Sequence, residues 1–289
     1  ETSVDAYKAA DTWNKHDIRP IGGSDYPSFI NYDNYSLKFV IINSETKECS
    51  VSCFRRPNVE TELTIPSTAT INKSEYTVTA IADSAFLECD KFVGDLVIPN
   101  TVKSVGVRAF RDCVGFNGSL VLSENLETIK NLAFAGGNDV IVNYTGTLNI
   151  PANVTSIGIN AFRNCSHLTG IVVEDGNSVY DSRDNSNNII ETSTNKLILG
   201  CQNSVIPDNI TSIGDDAFLN SGLKGKLNIP DGVTYIGINA FRFCSDLTGD
   251  LVIPNSVTYV GKAAFWECTG FDGTLTLSEN MDTIYDYSF

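Results

Sequence analysis

The sequence predicts a β-rich solenoid in which short parallel strands stack into a right-handed superhelix, capped by an N-terminal hairpin and carrying one hairpin insertion. Three observations predict it. One landmark dipeptide recurs along most of the chain, a second follows it at a constant distance, and apolar residues alternate between and before them.

The first landmark is Ile-Pro, at Ile65-Pro66, Ile98-Pro99, Ile150-Pro151, Ile206-Pro207, Ile229-Pro230 and Ile253-Pro254. Leu122-Ser123 and Leu277-Ser278 fill the two vacant places. The second landmark is Phe, mostly after Ala, at Phe86, Phe110, Phe134, Phe162, Phe218, Phe241, Phe265 and Phe289. From Pro99 onward the two lie 11 residues apart in every copy, and the Phe-to-Phe steps are 24, 24, 28, 56, 23, 24 and 24. Chance does not produce such spacing.

Taken in chain order, residues 1–34 do not follow the repeat, and Val4 to Trp13 reads as a short helix. Tyr35 to Ile42 and Cys49 to Phe54 read as two strands about a polar turn, a hairpin cap over 35–62 that pairs the open edge of the first repeat. The array runs over 63–289, and its first repeat, containing Tyr76 to Ile81, is nine residues longer between Pro66 and Phe86 than the others. A regular unit spans Gly249 to Cys268. Leu251 and Ile253 alternate toward a buried face, Pro254 lacks a donor and ends the strand, and a second extended piece runs from Val257 to Gly261, where a positive φ would be cheap. Ala264 and Phe265 then turn back into the core. One unit cannot bury its own apolar side, so neighbours stacked ~4.8 Å apart must supply the core. The long step from Phe162 to Phe218 holds a hairpin insertion at about 181–200.

Composition narrows the function. Hydrophobic content of 42% with 19% charged residues fits a folded chain, and a net charge of -15 disfavours nucleic acid and anionic membrane surfaces as partners. No apolar run approaches the ~20 residues of a membrane span, and no leader segment stands at Glu1.

Catalytic, metal and cofactor chemistry find little support. Cys89, Cys113, Cys165, Cys244 and Cys268 each fall three residues after a landmark Phe, a slot taken elsewhere by Gly137 and Ser221. A position set by repeat register and open to Gly or Ser is a packing position, so these five join the eight phenylalanines in a structural ladder. Cys49 and Cys53 remain candidates for a bridge across the hairpin. His16 and His167 are the only histidines, and a Cys165–His167 pair is a poor nucleophile and base because neighbours on one strand diverge. The Asp181 to Asn188 segment offers oxygen ligands without the spacing of a calcium loop, and reads as a turn. No catalytic motif, metal set or cofactor fingerprint is present, so the expectation is a binding protein and not an enzyme.

Outward positions on the first strands, such as Asp95/Val97 and Thr274/Thr276, read as small and polar, and the second strands carry a Thr row with Tyr235 and Tyr259. Bulkier candidates follow the landmark Phe: Arg111, Arg163, Arg242, Phe243 and Trp266, either an interface, where Arg and aromatic residues are enriched as hot spots, or side chains packed on a neighbouring turn.

The pattern L-x-I-P, V-x-x-I-G, A-F, C resembles the BspA-like leucine-rich repeats of surface proteins from gut and oral Bacteroidetes, over roughly Leu63 to Phe289. The resemblance implies a leucine-rich-repeat solenoid that is exported, extracytoplasmic and either secreted or held at the bacterial surface. It also implies protein partners on host or bacterial surfaces, and adhesion to host matrix or other cells; a structural spacer within a larger surface protein is the alternative.

Residues 90–134 align without gaps to 245–289, with 24 of 45 positions identical, so the array grew by duplication of a multi-repeat block. The last copy stops in mid-repeat at Phe289 without the polar cap such arrays carry, so the expectation is either a longer natural chain or an end covered by a partner, such as a homodimer contact.

Overall fold

The shortness of the strands in the array follows from their punctuation: Ile-Pro or Leu-Ser closes the first strand of a regular rung, and glycine closes the second. The computed structural model describes residues 27–137, 140–281 and 283–289. The helix expected at Val4 to Trp13, and His16 with it, lie outside the described residues.

The N-terminal end is an antiparallel meander of β1 (Ser28–Asn31), β2 (Ser36–Asn43) and β3 (Glu48–Arg55). The turn between β2 and β3 is built by Asn43, whose Oδ1 accepts from the backbone N–H groups of Glu45 and Thr46 at 2.9 and 3.1 Å. β1 is an addition to the hairpin expected from the sequence. β3 then runs parallel to β5 (Ser74–Ile81), so the meander supplies the missing neighbour of the first repeat. The nine extra residues of that repeat form β4 (Thr68–Ile71), antiparallel to β5 across Asn72 and Lys73. Both turn residues have positive φ, 49° and 64°, as a tight hairpin turn demands.

From β5 the parallel sheet continues through Ser104–Val105, Thr128–Ile129 and Ser156–Ile157. A second sheet begins with Tyr180–Asp181, Asn188–Glu191 and Lys196–Gly200, antiparallel to one another, and then resumes parallel stacking through Ser212–Ile213, Tyr235–Ile236 and Tyr259–Val260. The apolar positions read from the repeat, such as Leu96, Ile98, Val102 and Val105 in one rung and Leu251, Ile253, Val257 and Val260 in another, are buried.

The Ala-Phe turn is the most regular part of the rung. Landmark rings stack face to face on their neighbours: Phe86 on Phe110 at 4.8 Å, Phe110 on Phe134 at 5.5 Å, and Phe218, Phe241, Phe265 and Phe289 likewise at 5.0 to 5.7 Å. A second aromatic column of Phe92, Phe116 and Tyr144 packs edge-on against the first. Residues two before and two after the landmark Phe take positive φ without being glycine, for example Arg108 and Asp112 at 56° and 60°, or Asn239 and Phe243 at 53° and 63°. Left-handed residues alternating with right-handed ones turn every second N–H toward the next rung. Thus Arg108, Phe110 and Asp112 donate to the carbonyls of Asn131, Ala133 and Ala135 at 3.0, 2.7 and 2.9 Å. The cost of the left-handed conformation, about 1–2 kcal/mol per residue, is offset by this ladder, without which those N–H groups would be buried unpaired.

Gly261 departs from expectation. Its φ is not positive; instead a Cβ there would lie 2.5 Å from the backbone N of Ile238 in the preceding rung. Gly106, Gly158 and Gly237 are held to glycine by the same close approach, so the repeat glycine serves rung spacing and not turn geometry.

The hairpin insertion divides the core in two. One cluster of buried residues runs from Tyr35 to Cys201, the other from Ile190 to Phe265. At the junction Gly200 donates its N–H to the Ala217 carbonyl, the bond a landmark Phe would make, but it has no side chain. The Phe218 ring occupies that space, with its Cε1 1.9 Å from where a Cβ would stand.

Candidate interaction surface

Because the landmark Phe points inward, residues after it reach the outer edge of the turn on several rungs, although Ala135, Asn164 and Leu219 in those places are buried. Arg111, Arg163, Arg242, Phe243 and Trp266 are all half-buried on this edge. The structure brings three of them together. The Arg242 guanidinium lies 4.1 Å from the Trp266 ring centroid and 4.6 Å from that of Phe243. Phe243 and Trp266 are 5.9 Å apart, and Trp266 in turn contacts Tyr287 at 5.5 Å. Arg242 Nε is buried and has no hydrogen-bond partner among the described residues, so packing on the rings is what holds this cation. Tyr287, 64% exposed, extends the cluster and was not singled out in the sequence, although its place two residues before Phe289 put it on the neighbouring rung.

The other two arginines stand apart. Arg111 faces Asp112, Nε to Oδ2 at 3.2 Å, and the rung of Ala135 separates it from Arg163. The rungs of Gly200 and Leu219 separate Arg163 from Arg242. The edge therefore carries one aromatic cluster at its C-terminal end, with Arg111 and Arg163 on separate rungs before it.

The opposite edge carries Tyr235, Tyr259 and Tyr285. The Tyr235 and Tyr259 rings stack face to face at 4.7 Å, covering the faces on which a sugar would stack, and Tyr285 meets Tyr259 at 5.3 Å with its ring tilted by 51°. Tyr235 donates to Asp215 Oδ1 at 3.3 Å, and burial first, then the Asp215 charge, pushes its phenol up to about 12. The first strands are less polar outside than their sequence suggested: Val97, Val121, Val172 and Val252 are each exposed by 44 to 49%.

The ladder thiols are structural. Cys113, Cys244 and Cys268 donate to the carbonyls of Phe86, Phe218 and Phe241 at 2.9, 3.1 and 3.0 Å, and Cys165 to Phe134 at 3.8 Å. Burial pushes the thiols of Cys113, Cys244 and Cys268 up to about 12 and raises that of Cys165 as well, so none supplies a thiolate at neutral pH. His167 is exposed while Cys165 is buried, so the two form no catalytic pair. The hairpin bridge is corrected: Cys49 and Cys53 lie four residues apart on β3, about 13 Å at strand rise, too far for a disulfide between them. Across the hairpin they face Ile41 and Leu37.

The Asp181 carboxylate is spoken for. Arg183 Nε donates to its Oδ1 at 2.7 Å and Thr192 Oγ1 to its Oδ2 at 2.8 Å, while Asn187 and Asn188 amides bind the Asn203 and Val205 carbonyls. These side chains brace the hairpin rung. Elsewhere Asp and Asn residues tie rung to rung: Asp95 Oδ1 accepts from the Ser119 N–H at 2.7 Å, and Asp250 Oδ1 from Thr274 at 2.7 Å.

The family model for the BspA type leucine rich repeat region matches residues 79–198 and 188–289, in 6 copies. The chain belongs to the BspA-type leucine-rich repeat family. Among solved structures it is similar to the pneumococcal vaccine antigen PcpA, with 17% identity over 90% of this chain and 84% of that one, at a TM-score of 0.59. A leucine-rich repeat protein of Eubacterium ventriosum is similar at 20% identity over 92% and 75% of the two chains, TM-score 0.60. One from Bacteroides ovatus is similar at 20% identity over 87% and 68%, TM-score 0.51. At these identities the likeness concerns the fold. No curated protein matches the chain in sequence. Membership of a leucine-rich repeat family suggests protein–protein interaction, and no described helix of this family member is long and apolar enough to cross a membrane.

Proposed function

We propose that this BspA-type protein is exported to the bacterial surface and binds another protein through the cluster of Arg242, Phe243, Trp266 and Tyr287, acting in adhesion to host matrix or to other cells. The observation that carries the reading is the guanidinium of Arg242 packed against two half-buried aromatic rings, a preordered patch of the residue types that dominate interface energetics. The surface location draws on the family and on the likeness to a pneumococcal antigen. The test is binding of the chain to immobilised extracellular-matrix proteins and bacterial surface proteins, beside an Arg242→Ala/Trp266→Ala variant of unchanged circular dichroism. Hot-spot truncations cost about 2 kcal/mol or more, so the variant should bind at least about 30-fold more weakly. Saturable binding that survives the double substitution would move the site elsewhere.

A second reading, a spacer or self-assembling module, draws on an apolar cleft beside the last described rungs. There Phe265, Cys268, Phe271, Leu275 and Phe289 line an open cleft of about 240 Å³. Sedimentation over a wide concentration range separates the two, because assembly through that cleft makes the mass concentration-dependent.

A further inference from the structure

Four ladder thiols share one partner, the carbonyl of the preceding landmark Phe. Cys89 sits on the first landmark rung and has no such Phe before it. Its neighbour on that side is the end of β3, where Cys53 donates its N–H to the Ala85 carbonyl at 2.8 Å and Arg56 Nη1 reaches the Glu88 carbonyl at 3.5 Å. The backbone pairing of Cys53 with Ala85 sets the Cys89 thiol beside that of Cys53, so it meets sulfur where the others meet oxygen.

We propose that Cys53 and Cys89 are a disulfide-forming pair that locks the N-terminal meander onto the first repeat. The hydrogen bond from Cys89 outweighs burial and, with the Arg56 charge, holds the Cys53 thiol below its ordinary value, whereas Cys89 is raised. Cys53 is also only half-buried, so it is the attacking thiolate. Its sulfur attacks an external disulfide such as oxidised glutathione, forming a mixed disulfide and releasing one thiolate. Cys89 gives its proton to solvent and attacks the Cys53 sulfur, releasing the second. Two protein thiols are oxidised to a disulfide as the external disulfide is reduced to two thiols. The link would close a loop over the segment joining β3 to the first landmark turn, and the loss of chain entropy in the unfolded state stabilises the edge that would fray first.

The test is to equilibrate the chain with oxidised glutathione, map its peptides without reduction, and compare thermal unfolding with and without reductant for wild type and Cys53→Ser. The expected result is a Cys53–Cys89 cross-linked peptide with the other six cysteines still alkylatable after denaturation. Reduction should lower the wild-type Tm by roughly 5–10 °C and leave Cys53→Ser unmoved. Absence of a cross-link, a cross-link to Cys49 or Cys113 instead, or a cross-link without change in Tm would each overturn the proposal. The peptide map uses wild type, so it stands even if the variant folds poorly.

Discussion

Replacing Tyr144 by Phe should make the protein more stable, although it removes a polar group from the core. The Tyr144 ring continues the column of Phe92 and Phe116, stacked on Phe116 at 6.2 Å and edge-on to Phe134 at 6.4 Å. Its hydroxyl is fully buried and has no hydrogen-bond partner among the described residues. The nearest titratable neighbours, Cys113 and Cys165, already donate to Phe86 and Phe134. An unpaired buried hydroxyl costs about 1–3 kcal/mol. Deleting one oxygen leaves a void of roughly 10–15 Å³, which at about 24 cal/mol per Å³ costs back about 0.3 kcal/mol. The net gain is about 1–2 kcal/mol, and at about 2–4 °C per kcal/mol the Tm should rise by roughly 2–8 °C. Differential scanning calorimetry of Tyr144→Phe beside wild type measures it. An unchanged or lowered Tm would refute the reasoning, because it would mean that the hydroxyl is served, by a trapped water or otherwise.

Gly200→Ala should destabilise by about 1–3 kcal/mol, because the new Cβ lands 1.9 Å from Phe218 Cε1 and the ring must leave a filled core; urea titration followed by Trp266 fluorescence reads it, and an unchanged midpoint would show that the junction has room to relax. Acid should weaken the hairpin rung through Asp181. Burial pushes this carboxyl up, but the Arg183 and Thr192 hydrogen bonds together hold it below the ordinary range. With a depressed folded pKa, its stabilisation is complete above about pH 4, the unfolded value, and is lost as pH falls through the folded one. Comparing Tm between pH 7 and pH 2 for wild type and Asp181→Asn tests this, and equal acid losses in the two proteins would exclude it.

What the sequence shows and what it hides divide along one line. The apolar ladders are legible because burial selects residue type: Leu, Ile, Val and Phe recur wherever the core needs them, and the five post-Phe cysteines were readable as packing because Gly137 and Ser221 share their slot. The left-handed turn positions are not legible. Ser84, Arg108, Leu132, Asp216 and Ala263 have no chemistry in common, and their φ is imposed by hydrogen bonds to the next rung and not by local preference. The β4–β5 hairpin was visible only as extra length, since Asn72-Lys73 lacks the glycine that usually announces such a turn. For the candidate surface, register placed Arg242 and Trp266 on adjacent rungs, but only the fold shows that Arg111 is engaged by Asp112 while Arg242 stacks on rings.

The same division explains where binding would concentrate. In a stacked array each rung is stabilised by its neighbours, so a break in one ladder weakens coupling across it. The Phe column breaks at Gly200, and the core divides there. The cluster of Arg242, Phe243 and Trp266 lies wholly on the C-terminal side, over an unbroken column from Phe218 to Phe289. An arginine already held against two rings loses little further freedom on meeting a partner, whereas Arg111 must first leave Asp112. Residues equivalent by repeat register are thus unequal as anchors, and what separates them is the order each has before the partner arrives.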